Sequence, residues 1–458
     1  MLCLSIDGRY VPLPDPGPFH ELRPYQNLDI RDDGAVGPRG LDLSRGESGQ
    51  GPRVAVLGAG MQGVCTALEL ADRGAYVELI DRSADLMTGS ATANEGKIHL
   101  GYIYGADRTL DTARRMIQGG MTFAPLVRRW IGSGLDEVAV SDGFIYAVHK
   151  DSQLTSDEVQ AHLYRCNDMI AEATARPGAN YFGKDLPPPC QLKKSELDAS
   201  FDSELVGAAF RTNELAVDPI GLAEALKARV RSDPRIKVRL GCRVVGLLTQ
   251  SRGPAVITEG AEGPETSRYD HVVNALWDGR LAADATRGEI PSRPWLHRFK
   301  YGIRISAPAA STSIPTVVFV QGPFGDVVRY SDGTWYLSWY PACLLGTSSE
   351  LAPPDWRSEG KANSGQITED TVKAFANLIV PLRSFKSDKI AEATLLGGTI
   401  TAWGRTDIDD PVSELHNRHE IGIHSADGHH SIDTGKYSMA PLFAYLCADR
   451  IVPRNRSV

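Results

Sequence analysis

The sequence predicts an α/β fold, in which a Rossmann-type nucleotide-binding domain is interleaved with a second domain built on antiparallel sheet. Three observations carry this reading. An apolar run ending in closely spaced glycines is followed by a helical pattern and a second apolar run. At 458 residues the chain is too long for one compact core, so two domains are expected. Alternating, aromatic-rich stretches such as TWYLSWY at 334–340 read as antiparallel strands.

The first unit starts at Arg53, after a Pro-, Gly- and Asp-rich segment (1–50) read as an extension that packs irregularly or caps a site. RVAVLGAG (53–60) is a strand buried on both faces. MQGVCTALELADRG continues with helical spacing through Val64, Leu68 and Leu70, and Gly74 stops it. YVELID (76–81) is a second strand, completing a β-α-β unit. Farther on, VDP at 217–219 is a turn, 220–230 a helix, and IKVRLGCRVVGLLTQ (236–250) one strand that includes Val244. YDHVVNALWD (269–278) is another. The nucleotide domain then comprises 51–140, 210–290 and 401–458, and the second domain 141–209 and 291–400.

Composition narrows the function classes. The chain is 42% hydrophobic and 23% charged, with no apolar stretch long enough to cross a membrane. Its first residues lack the basic and apolar regions of a signal peptide, so a cytoplasmic location is expected. A net charge of −8 with scattered basic residues offers no stripe for nucleic-acid phosphates. Seven dispersed cysteines without a CxxC pair read as reduced thiols. No metal site is expected, because His429-His430 are adjacent residues placed on a loop.

Gly58-Ala59-Gly60-Met61-Gln62-Gly63 is a GxGxxG between strand and helix, with the acid Asp81 about 20 residues farther on at a strand end. Gly58 permits the tight turn, Gly60 lets backbone approach a pyrophosphate, and Gly63 lets helix pack on strand. The helix N-terminus supplies N–H groups and partial positive charge, and Asp81, followed by Arg82, would bind the adenosine ribose. The motif does not separate FAD from NAD. The next segment, TGSATANEGKIHLGYIYG (88–105), is a loop of small hydroxyl residues and glycines, suited to running beside a flat ring system.

That loop and several later stretches resemble the flavoprotein superfamily of D-amino-acid oxidase, glycine oxidase and the flavin-linked glycerol-3-phosphate dehydrogenases. Ser90-Ala91-Thr92 and Lys97-Ile98-His99-Leu100-Gly101 resemble the loop that passes the flavin ring. Glu214-Leu215-Ala216-Val217-Asp218-Pro219 resembles the superfamily's VDP segment, and Val272-Val273-Asn274-Ala275 its VVNAAG strand, with Leu276-Trp277 in place of Ala-Gly. Asp433 to Pro441 (DTGKYSMAP) is similar to the dehydrogenases' GGKxTTYR and the oxidases' GxxxxP. Trp339 with Leu345-Gly346-Thr347, and Gly404-Arg405, resemble further dehydrogenase motifs, with Thr406 where proline is usual.

The resemblance covers roughly 53–450. It implies a Rossmann-type FAD-binding domain, noncovalent FAD, and oxidation of a small polar, anionic substrate at a CH–OH carbon. A CH–NH substrate, or a non-catalytic FAD-binding scaffold, is the alternative. The electron acceptor would be O2 or another carrier. Cofactor contacts are implied for the fingerprint residues, the Ser90–Thr92 and Lys97–His99 stretches, Val244, Asn274, Ala275, Gly435, Lys436, Tyr437 and Ser438. His99 has the intrinsic pKa of a base. Lys436 would stabilise reduced flavin, and Arg405 would clamp a substrate oxyanion bidentately. Lys97, Tyr102, Tyr104, Tyr336 and Trp339 are candidate pocket-lining residues. Of His416, His419, His424, His429 and His430, four are expected on surface turns.

Overall fold

The computed structural model describes residues 51–454 apart from 252, 307–313, 357–363 and 385–392. It also describes the backbone of two short antiparallel strands, Cys3–Ile6 and Arg9–Pro12. The rest of the N-terminal extension lies outside the described residues.

The expected β-α-β unit is present as strand Arg53–Leu57, helix Met61–Asp72 and strand Tyr76–Ile80. Strand Arg53–Leu57 is central in a six-stranded sheet. Tyr76–Ile80 and then Ile236–Arg239 lie on one side of it, and His271–Asn274, His429–Asp433 and Gly422–Ala426 on the other. Every pairing is parallel except the terminal one between Gly422–Ala426 and His429–Asp433. Because the chain moves first to one side of Arg53–Leu57 and later to the other, the order reverses at its carboxyl end. That is where an open α/β sheet leaves a crevice for ligand.

A second, nine-stranded sheet is organised on the long strand Trp295–Ser306. Thr394–Trp403 pairs along one edge, while Leu344–Ser348 and Thr334–Trp339 share the other. Gly325–Arg329, Val317–Val320, Ile145–His149, Val206–Arg211 and Cys190–Gln191 continue it outward. The sheet is antiparallel, as expected, apart from the parallel pair Val317–Val320 and Ile145–His149. Helix Ser364–Leu378 covers one face, burying Val372 and Phe375 against Phe319, Trp335 and Leu337.

Two sequence expectations change. The single strand expected over 236–250 is broken at Gly241, whose φ of +67° suits glycine, and the N–H of Cys242 turns back to the Asp81 carbonyl. The remainder, Arg243–Gln250, joins a separate three-stranded antiparallel sheet. The strand expected over 269–278 stops at Asn274, and Trp277 adopts φ of +55°. Among the described residues no helix is long and apolar enough to cross a membrane.

Candidate active site

Two cavities meet at the reversal point. The larger, about 660 Å³, is lined by the glycine turn, the 88–99 loop, 242–245, the loop after Asn274, and 434–437. The smaller, about 180 Å³, lies against the nine-stranded sheet. Glu95, Lys300, Ile400 and Lys436 line both.

The three fingerprint glycines serve three distinct purposes. Gly58 has φ of +94°, and a Cβ there would meet the Ala275 carbonyl. A Cβ on Gly63 would fall 1.7 Å from the Gly58 carbonyl oxygen, so helix and turn can approach only without it. Gly60 has normal backbone angles, and its Cβ would meet nothing within 4 Å, since it would point into open space at the cavity wall. Helix Met61–Asp72 carries no acid in its first turn and no side-chain cap, which leaves its N-terminus available to an anion. Asp81 accepts the N–H groups of Ala59 (2.6 Å) and Ser83 (2.7 Å) and faces the cavity.

At the junction with the smaller cavity, polar groups are buried without partners. Lys97 Nζ has no hydrogen-bond acceptor and sits 4.0 Å over the Phe144 ring. His99 Nδ1 is also unpartnered, 3.9 Å from Glu214 Oε1. Burial, with Lys436 and Lys97 beside it, holds His99 well below the usual histidine range, so it is neutral. Lys436 is pushed down to about 7 by burial and then by Arg418, against the pull of Glu95.

The smaller cavity is charged. Arg298 and Lys300, two apart on strand Trp295–Ser306, share one face of it. Arg298 is tied to Asp407 at 3.0 Å and to the Tyr340 hydroxyl at 3.1 Å. Arg418 is buried, and among the described residues its guanidinium donates to the carbonyls of Leu415 (2.8 Å) and Thr401 (3.5 Å). Burial and then Arg298 push its guanidinium down to about 10. Two carboxylates complete the lining. Burial works to raise Glu95, but Lys97, Lys436 and Lys300 outweigh it and hold it low. Asp326 is pushed up to about 6 by burial and then by Glu95.

The structure brings most of the sequence-selected residues together. Gly58, Gly60, Met61, Gln62, Asp81, Arg82, Ser90, Ala91, Lys97, His99, Val244, Ala275, Gly435, Lys436 and Tyr437 all line the larger cavity, as does Tyr336, while Tyr104 lines the smaller. Gly63, Thr92, Ile98, Asn274 and Ser438 line neither. Asn274 instead donates to Asp284 (2.7 Å) and the Arg280 carbonyl (3.0 Å), fixing the loop that follows it. Tyr102 is buried away from both cavities, and Trp339 packs on Phe324 and Phe375.

Arg405 is not at the site. Gly404, at φ of +136°, turns the chain after strand Thr394–Trp403, and Arg405 follows it as an exposed residue. The histidine expectation also fails. His416, His429 and His430 are buried, the first lining the smaller cavity and the others on strand His429–Asp433 rather than a loop.

Sequence reasoning missed Glu95, Arg298, Lys300, Asp326 and Arg418. Glu95 lies inside the loop already singled out, and Arg298 with Lys300 shows the alternation of a strand face. No local pattern marks Arg418 or Asp326.

Trp277, in place of the usual glycine, lines the larger cavity and donates its indole N–H to the Thr399 carbonyl at 2.7 Å. Ser90 Oγ donates to the same carbonyl at 2.9 Å. The open space at Gly60, the uncapped helix, the Asp81 carboxylate and the unpartnered Lys97 and His99 nitrogens fit a molecule with a diphosphate and a polar ring system. FAD is such a molecule.

Comparison with known proteins agrees. No curated protein matches the chain. Glycine oxidase from Geobacillus kaustophilus is similar over 89% of this chain and 96% of its own, at 19% identity and TM-score 0.60. Iminodiacetate oxidase from Chelativorans sp. BNC1 covers 89% and 97%, at 16% identity and TM-score 0.63. Dithionite-reduced L-α-glycerophosphate oxidase from Mycoplasma pneumoniae, solved with FAD bound, covers 88% and 95%, at 13% identity and TM-score 0.58. At these identities the likeness is one of fold. The model of the DAO family, FAD-dependent oxidoreductases, matches residues 53–448, and the chain belongs to that family.

Proposed function

We propose that this FAD-dependent oxidoreductase oxidises a small substrate bearing a carboxylate, at a carbon bonded to nitrogen. The observation that carries the reading is Arg418. A buried guanidinium that faces a cavity and has only carbonyl contacts among the described residues is relieved by an oxyanion, which its planar fork binds bidentately. Arg298 adds charge nearby but is already neutralised by Asp407.

Between the CH–OH and CH–NH readings, the two cavity carboxylates favour nitrogen. Glu95 and Asp326 would attract an ammonium group and repel an anionic phosphate. When bound, FAD supplies the two-electron acceptor. The protein's part is to orient the substrate between the arginines and the carboxylates and to exclude water from the 180 Å³ cavity. Lys436, lining both cavities at the junction, presents positive charge there when its amine is protonated.

The test is anaerobic bleaching of the yellow protein with amino acids, the matching hydroxy acids, polyol phosphates and amines without carboxylate. Amino acids should bleach it and uncharged amines should not. Bleaching by polyol phosphates alone would overturn the reading.

A further inference from the structure

Within that reading, we propose that Asp326 is a catalytic residue whose Oδ1 receives a proton from the ammonium group of the substrate. Asp326 lies on strand Gly325–Arg329, lines the smaller cavity, and is 8% exposed. Its Oδ1 is buried with no hydrogen-bond partner among the described residues. An acceptor kept in that condition is costly unless a ligand brings the donor.

The neighbouring acids are otherwise engaged. Asp407 Oδ1 accepts from Arg298 and from the Ile408 N–H, and its Oδ2 accepts from the Tyr340 hydroxyl. Glu95 is surrounded by Lys97, Lys300 and Lys436, which keep it ionised and a weak base. The charged groups acting on Asp326 are Glu95 and Lys97 from the 88–99 loop, Lys300 from the long strand, and Lys436 from the C-terminal segment. The buried hydroxyls of Tyr330 and Tyr336 also feel its charge. Their balance leaves its carboxyl at about 6, ionised at neutral pH yet basic enough to accept a proton.

The step is a proton transfer. The substrate N–H bond breaks, an O–H bond forms on Asp326, and the electron pair stays on nitrogen. That lone pair is what the adjacent carbon needs when its hydrogen leaves as hydride in the family's reaction.

The experiment uses the holoenzyme with whichever of glycine, N-methylglycine, alanine and proline bleaches it fastest. In the wild type, kcat/KM should rise with pH through about 6 and then level. Asp326→Asn should lower kcat/KM at pH 7 by about 100-fold or more, within the range of general-base catalysis. It should also lose the rise near 6 and recover steadily toward a pH of about 10, where a free amine sheds its own proton. Bound flavin should match the wild type, and acetate, which has no amine, should bind at least as well, because a repelling carboxylate is removed. If Asp326→Asn loses its flavin, Asp326→Glu, which keeps the carboxylate, should retain flavin and a rise with pH.

An Asp326→Asn variant with wild-type kcat/KM and pH profile, while amino acids still bleach, would overturn the role of Asp326 alone. Bleaching of the wild type by hydroxy acids and not by amino acids would overturn the nitrogen reading, and the proton transfer with it.

Discussion

Glu214 holds the backbone of Leu100: one carboxylate oxygen accepts the Leu100 N–H at 2.5 Å, and the other takes the Tyr146 hydroxyl. Burial pushes this carboxyl above the usual range. Tyr181 reinforces the same junction, donating to the Ile98 carbonyl (2.6 Å) and accepting from the Leu215 N–H (2.9 Å). The stretch carrying Lys97 and His99 is thereby fixed to 214–216. Glu214→Ala would strand the Leu100 N–H and the Tyr146 hydroxyl, at about 1–3 kcal/mol for each buried orphan. Urea unfolding should show that loss, with a smaller one for Glu214→Gln, and flavin should dissociate more readily from the alanine variant.

The glycine turn gives a paired test. Gly60→Val places its side chain in the space beside the helix N-terminus, so the variant should fold and lack flavin. Gly63→Val drives a side chain into the Gly58 carbonyl, so it should fail to fold or melt far below wild type. Circular dichroism and flavin absorbance separate the two outcomes. Full flavin in Gly60→Val would place the diphosphate elsewhere.

Arg418 and Arg405 make a second pair. Arg418→Met should weaken substrate binding by about 10- to 150-fold, the equivalent of losing a charge-assisted hydrogen bond of roughly 1.5–3 kcal/mol. Arg405→Ala, exposed and away from both cavities, should leave the substrate dependence of flavin reduction unchanged. Stopped-flow reduction at varied substrate concentration measures both.

Lys436 should make the flavin-free protein more stable as pH rises. Its amine falls from an ordinary 10.5 to about 7 in the fold. Between those values the unfolded chain binds the extra proton, so stability increases with pH across the window. Melting temperatures of flavin-free wild type, compared with Lys436→Met from pH 7 to about 10, should show that slope in the wild type only. An identical slope in both would mean that the ammonium is not destabilised there.

Much of the nucleotide half was legible because its signals are local. A strand, three glycines, a helix and an acid fall within one short stretch, and neighbouring backbone leaves no room for a Cβ at Gly58 or Gly63, while at Gly60 the space is open. The substrate side was less legible because it is assembled by long-range pairing. Arg298, Asp326 and Arg418 come from two strands of the nine-stranded sheet and an irregular segment, and none has a motif around it. Arg405 misled for the same reason: the resemblance located the end of a strand, while the positive φ of Gly404 decided where the next side chain went.

The Thr399 carbonyl also bears on how the molecule is put together. Trp277 and Ser90 reach it from two loops of the nucleotide half, while Thr399 belongs to an edge of the other sheet. These two bonds close a clasp beside the larger cavity, and they tie the two sheets together there before any cofactor is bound. Trp277→Phe, which keeps the ring and loses the indole N–H, should therefore lower the melting temperature of flavin-free protein.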